Sequence, residues 1–225
     1  MKSTDVGTMT ACLMMALAGG ASASGSPGRW SDTRLTRIEA LALLETLNAN
    51  LLSNDSATLT LDHWCEAHQM ATPAKVTAER IHDVEKAPSE ETRKLLNVGA
   101  SDPVRYRHVR LHCGERILSE ADNWYVPARL TDEMNHVLDT SDTPFGRAVH
   151  DLHFQRHTLS AQLLWNPLPP GWEMKAVPEP AHGPLNIPAE VIQHRALLSL
   201  PDGTPISLVV ETYTNEVLKF PPPPM

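Results

Sequence analysis

The chain has 225 residues, 41% of them hydrophobic and 20% charged, with a formal net charge of -8. That balance belongs to one soluble globular domain with a real core, and it excludes a disordered or repetitive chain. The basic residues are scattered, so no electrostatic footprint for nucleic acid is present, and on that ground nucleic acid is excluded as a partner.

Residues 1–23 read as a secretory signal peptide: a Lys near the start, a mainly apolar run over 9–18, and Ala21-Ser22-Ala23 as a small-residue cleavage signal. A Ser/Gly linker over 24–31 leads into a domain over 32–218, and a proline-rich tail over 219–225 follows. No later hydrophobic run is long enough to span a bilayer. The expectation is a periplasmic or secreted protein with no membrane association after signal removal. Cys12 leaves with the signal. Cys65 and Cys113 either pair in an oxidising compartment or stay as buried free thiols, and the sequence leaves both open.

Within the domain, leucines and isoleucines at 35, 38, 41, 44, 47 and 51 recur at helical spacing, with Ser31 or Asp32 as cap, and predict an amphipathic helix over 32–53. A turn at Asn54-Asp55 and a short helix over 62–68 follow. His63, Cys65 and His68 sit at offsets that do not share a helical face, so no metal site is read there. A strand is expected over 76–84, and Ser89 followed by Glu90-Glu91 starts a short helix ending near Leu96. Residues 104–127 read as a hairpin turning at Gly114-Glu115-Arg116. Thr131-Asp132-Glu133 opens another helix through Leu138. Thr143 as cap with Pro144 in the first position predicts a helix over 144–152, whose start leaves the amides of Phe145 and Gly146 unpaired. A half-buried strand over 158–165 shows Leu159, Ala161, Leu163 and Trp165 on one face. Residues 166–188 have no period and are rich in Pro and Gly, a long surface excursion. A second hairpin, 191–200 and 206–213, turns at Pro201-Asp202-Gly203-Thr204.

Two charged positions stand out. Alternation along the first hairpin strand puts Arg105, Arg107, Val109, Leu111 and Cys113 on one face. A guanidinium cannot lose its charge, so an arginine facing a core needs an anion supplied by the protein or by a ligand. The alternative is an arginine at the strand end paired with a surface carboxylate. Glu211 lies in a last strand that is apolar on both faces, where a carboxylate either has a raised pKa or finds a partner, such as an arginine on a neighbouring strand. His150, His153 and His157 straddle a helix end and a strand start and show no recognised ligand spacing.

An inner-face arginine, free amides behind a proline and a glutamate on the final strand describe a pocket for an aromatic or cyclic carboxylic acid that also bears a hydroxyl. Their order resembles the chorismate lyase family and the related UTRA ligand-binding domains. The matching pieces are RHVRL around Arg107, the hairpin ending in Val126-Pro127, the DTPFGR block over 142–147 and SLVVETY around Glu211. The resemblance implies an α+β fold, an antiparallel β-sheet with helices packed on one face. It implies elimination of pyruvate from chorismate to give 4-hydroxybenzoate, with no metal and no organic cofactor. The roles it carries over fall on Arg107 for the ring carboxylate, with Arg105 as its register alternative, on the backbone of Phe145 and Gly146, and on Glu211 for the ring hydroxyl. Asn123 stands where the family commonly has a further arginine. The competing expectation is a non-catalytic exported binding or sensing protein for an aromatic acid. The sequence does not set the oligomeric state, and a monomer is the working expectation.

Overall fold

The computed structural model describes residues 30–176 and 183–220. The signal peptide, most of the linker, part of the 166–188 excursion and most of the proline tail lie outside the described residues. Two hairpins make the sheet. In the first, β2 (Arg105–Cys113) and β3 (Arg116–Tyr125) are joined by a tight turn at Gly114, whose φ of 58° calls for glycine, as does the 3.0 Å that would separate a Cβ there from the Ala71 methyl. In the second, β5 (Glu190–Ser199) and β6 (Pro205–Thr214) flank a turn with Gly203 at φ 85°. β3 and β6 pair at the centre, while β1 (Val76–Ile81) and β4 (Gln155–Leu163) form the edges, giving an antiparallel sheet ordered β1-β2-β3-β6-β5-β4. The chain is thus α+β, as its strand and helix signals imply.

Strand alternation assigns one face to the core. Val109, Ala121, Glu211 and His194 stand side by side on it, as do Arg107, Asn123 and Val209 one step along. Two separate helical groups cover that face. The first contains α1 (Arg34–Leu52) and α2 (Ala57–Ala67), packed with Val76, Leu111 and Tyr213. The second contains α4 (Asp132–Thr140) and α5 (Phe145–Ala148), where Leu138, Phe145 and Val149 meet Tyr125, Leu198 and Ile206. A short α3 (Glu90–Leu95) lies on the opposite face, and Leu96 just beyond it packs on Leu208.

The buried stripe of α1 is Thr36, Ala40, Leu44, Leu47 and Leu51, and Leu35 is half exposed. The expected Leu35-Ile38-Leu41 stripe is therefore displaced in the first two turns, where Thr36 and Ala40 face the core, Ile38 and Leu41 are half-buried, and Thr33 caps the helix through a reciprocal bond with Thr36. α2 begins five residues earlier than expected, because Ser56 caps it by accepting from the Leu59 amide. The indoles of Trp30, just ahead of α1, and of Trp64 on α2 donate to the carbonyls of Leu218 and Val217, which ties α2 and the lead into α1 to the 3-10 turn that follows β6. Cys65 on α2 and Cys113 at the end of β2 form a disulfide, so of the two states left open the paired one is found. Among the described residues no helix is long and apolar enough to cross a membrane.

Candidate functional site

A chamber opens where the two helical groups part over the sheet. Its floor is Val109 and Leu111 of β2, Ala121 and Asn123 of β3, and Val209 and Glu211 of β6; its walls are Ala57 and Thr58 of α2, Phe145 and Gly146 of α5, and Phe154, Arg156 and Leu198. The volume is about 60 Å³, roughly four to six times what one water needs. Most of the lining is apolar, and of its polar side chains Asp55, Ser56, Asn123, Arg156 and Glu211 are held by hydrogen bonds.

Glu211 is held on one side only. Its Oε2 accepts from Arg156 Nη2 at 2.5 Å and from the Tyr213 hydroxyl at 3.2 Å, while Oε1 takes no hydrogen bond among the described residues. The ion pair is buried, with side-chain exposures of 4% and 10%. Burial opposes the Arg156 charge, but Glu211 and Tyr213 beside it outweigh that and raise its pKa. Tyr213 is pushed well above its ordinary value, first by burial and then by Glu211, so its phenol stays protonated and donates. Behind the pair lies His194, fully buried, with Nε2 against Asn48 Oδ1 at 2.8 Å. Asn48 Oδ1 only accepts, so Nε2 carries the proton and Nδ1 is a bare acceptor with no partner among the described residues. Burial lowers the His194 pKa.

At the chamber's other end, Asn123 Oδ1 accepts from Ser207, which leaves Nδ2 as the donor side of the amide. Phe145 and Gly146 follow Pro144, whose carbonyl receives the amides of Arg147 and Ala148, and neither the Phe145 nor the Gly146 amide has a partner among the described residues. Proline occupies the cap position rather than the first helical one, and the helix runs only four residues before a 3-10 turn over His150–Leu152. Arg147, from the same block, braces this rim: it donates to the Val76 carbonyl at 2.8 Å and pairs with Asp62.

The structure brings Asn123, Phe145, Gly146 and Glu211 into one chamber and leaves the two sequence-predicted arginines out of its lining. Arg107 is 1% exposed, yet its guanidinium turns to the carbonyls of Ser141 and Thr143, both at 3.3 Å, and has no carboxylate within ion-pair distance among the described residues. Burial, then the nearby Arg80, lowers its pKa. Arg105 sits at the strand end, paired with Asp139 at 2.5 Å, both nearly half exposed, which matches the surface-carboxylate alternative. Arg156, the cation that does face the chamber, escaped the sequence reading because the strand was expected to start at Thr158. Alternation with Leu159, Ala161 and Leu163 would have turned it outward, and the register shift between Thr158 and Ser160 reverses that. His63 and His68 lose Cys65 as a companion ligand to the disulfide, and among the described residues no group of three metal-binding side chains is gathered.

No family model matches the chain. Among solved structures, PhnF from Mycobacterium smegmatis has 12% identity and a TM-score of 0.46, covering 86% of this chain and 90% of that one. The possible transcriptional regulator YydK from Bacillus subtilis subsp. subtilis str. 168 has 15% identity and a TM-score of 0.40; the match covers 66% of this chain and 62% of that one, so this chain spans less than two thirds of it. Others are effector or ligand-binding domains of similar regulators. These likenesses concern fold alone. They still correct one expectation: scattered basic charge does not exclude nucleic acid as a partner, since proteins described as transcriptional regulators contain similarly folded regions. The uncharacterized protein y4mC of Sinorhizobium fredii (strain NBRC 101917 / NGR234) is 60% identical over 200 residues, 88% of this chain and 84% of that protein. With that identity sustained over most of both chains, this chain belongs to the same family as y4mC.

Proposed function

We propose that this domain binds a small aromatic or cyclic carboxylic acid bearing a hydroxyl, with the ring in the chamber, the hydroxyl at Glu211 and the carboxylate toward Asn123 and the Phe145-Gly146 amides. The observation that carries the reading is Glu211 Oε1, an unpartnered carboxylate oxygen in a mostly apolar chamber whose twin oxygen is already fixed by Arg156 and Tyr213. Such an oxygen is preorganised to accept one hydrogen bond, which a ring hydroxyl supplies. Arg107, buried without a counter-carboxylate directly across the ladder from Asn123, adds positive potential at the opposite end.

Binding without turnover is favoured over elimination of pyruvate from chorismate. The charged groups lining the chamber are Asp55, Arg156 and Glu211, and the last two neutralise each other. A dianion such as chorismate would bring two carboxylates to a chamber with no free cation among the described residues of its lining, whereas a monoanion needs only the donors at the Asn123 end. The disulfide supports the further proposal that the protein works in an oxidising compartment after export.

Calorimetry with 4-hydroxybenzoate and benzoate tests the binding reading. The hydroxylated ring should bind more tightly, and Glu211→Gln should erase most of that difference. Equal affinity for both acids sinks it. Mixing the protein with chorismate and assaying pyruvate tests the rest: release at many turnovers per protein molecule would establish a lyase.

A further inference from the structure

Beside the chamber lies a second hollow of about 370 Å³, lined by Asn54, Leu59, His150 and His153. The two spaces adjoin, and Asp55, Ser56, Gly146 and Phe154 line both. A Cβ at Gly146 would lie 3.3 Å from Ser56 Oγ and 3.8 Å from the Phe154 ring. Ser56 Oγ is itself engaged as the cap of α2, so it is not free to give way. A side chain at position 146 would therefore crowd the boundary that the two spaces share.

We infer that the chamber and the hollow are one binding site for a two-part ligand: a ring in the chamber and an uncharged, hydrogen-bonding tail, hydroxylated or amide-bearing, in the hollow. This rests on the binding reading given above. The inner space is small, so it takes the head of a ligand and little more. The hollow offers the Asn54 amide and the His150 and His153 imidazoles, which both donate and accept, over an apolar base of Leu59 and Phe154. Its one carboxylate, Asp55, already accepts from the Arg156 amide at 2.9 Å and repels an anionic tail. His153 adopts a left-handed backbone with φ 51° as the C-cap of the 3-10 turn over His150–Leu152, which brings its ring to the same hollow as that of His150.

The test is calorimetry on the full chain with two probes of equal head group, methyl 4-hydroxybenzoate and its 2,3-dihydroxypropyl counterpart, alongside 4-hydroxybenzoate. The dihydroxypropyl ester should bind at least tenfold more tightly than the methyl ester. The double variant His150→Ala/His153→Ala, at exposed positions that the fold tolerates, should bring that ratio toward one. Gly146→Val should abolish binding of both esters while the circular dichroism spectrum is retained. A ratio near one in the unsubstituted protein, or a tenfold ratio that survives the double variant, overturns the two-part site and leaves the chamber reading standing. Failure of 4-hydroxybenzoate and the methyl ester to bind at all removes the chamber reading and this inference with it.

Discussion

Arg107 and Asn123 stand directly opposite each other on β2 and β3, yet only the asparagine reaches the chamber. The arginine instead holds the carbonyls of Ser141 and Thr143, in the segment that leads into the chamber rim at Phe145. It is a positioning residue as well as a source of potential. Arg107→Met loses two long hydrogen bonds and also a buried charge, and the two effects oppose each other. The net stability change should stay within about 1 kcal/mol, or roughly 2 to 4 °C in Tm for a domain of this size. Affinity for 4-hydroxybenzoate should fall roughly tenfold, about 1.4 kcal/mol. Unchanged affinity in the variant would remove Arg107 from any account of the site.

The pair Arg156 and Glu211 predicts a non-additive cycle. Replacing either alone by leucine strands a buried charge and should cost about 3 to 5 kcal/mol in urea unfolding. The double variant should recover most of that loss, because a buried ion pair replaced by apolar groups is often close to neutral. Additive losses would show that the two side chains act independently.

His194 sets an acid limit. Protonating it means placing a new N–H on Nδ1, which has no acceptor, beside Asn48, Arg156, Glu211 and the ring of Tyr213. Its folded pKa lies below the unfolded value of 6.5. Above that pH both states are neutral and nothing is gained or lost. As pH falls below it the unfolded chain takes up the proton and the native one does not, so stability drops by up to about 1.4 kcal/mol per unit until the folded pKa is reached. Chemical-denaturation midpoints measured from pH 7.5 to 5 should show this slope, and His194→Gln should flatten it. An identical slope in the variant would assign the effect elsewhere.

The disulfide closes a loop with a sequence separation of 48. Chain-entropy arguments give a loop of that length about 4 kcal/mol of stabilisation. The double substitution Cys65→Ala/Cys113→Ala, at two fully buried positions, should lower the unfolding free energy by at least that amount. Export predicts cleavage after Ala23, so N-terminal sequencing of protein recovered from its host should begin at Ser24. A mature chain still starting at Met1 would exclude it.

Both hairpins and the inward face of β2 were legible, because glycine turns and period-two alternation are local properties of the chain. The burial of Glu211 was legible for a different reason, because its strand is apolar on both faces and leaves a carboxylate little access to water. What the sequence hid came from non-local or off-period features. A bulge between Thr158 and Ser160 in β4 inserts one residue, so the core side changes parity along the strand. Leu159, read as inward, is 43% exposed, and Arg156, ahead of the bulge, points in. The direction of the long Arg107 side chain was equally invisible, since alternation fixes only where Cβ points. The contact between Asn48 and His194 joins residues 146 apart, and neither has a sequence signature.

The link from Cys65 to Cys113 joins α2, a wall of the chamber, to the strand that forms its floor. The cross-link lies about two turns along α2 from the chamber-lining Ala57 and Thr58, so it ties the far end of that helix to the sheet. The opposite bank, the short helix and 3-10 turn between Phe145 and Leu152, is joined to α2 by the Arg147–Asp62 ion pair. One bank of the site is thus stapled covalently to the floor, and the other is held across the opening by charge.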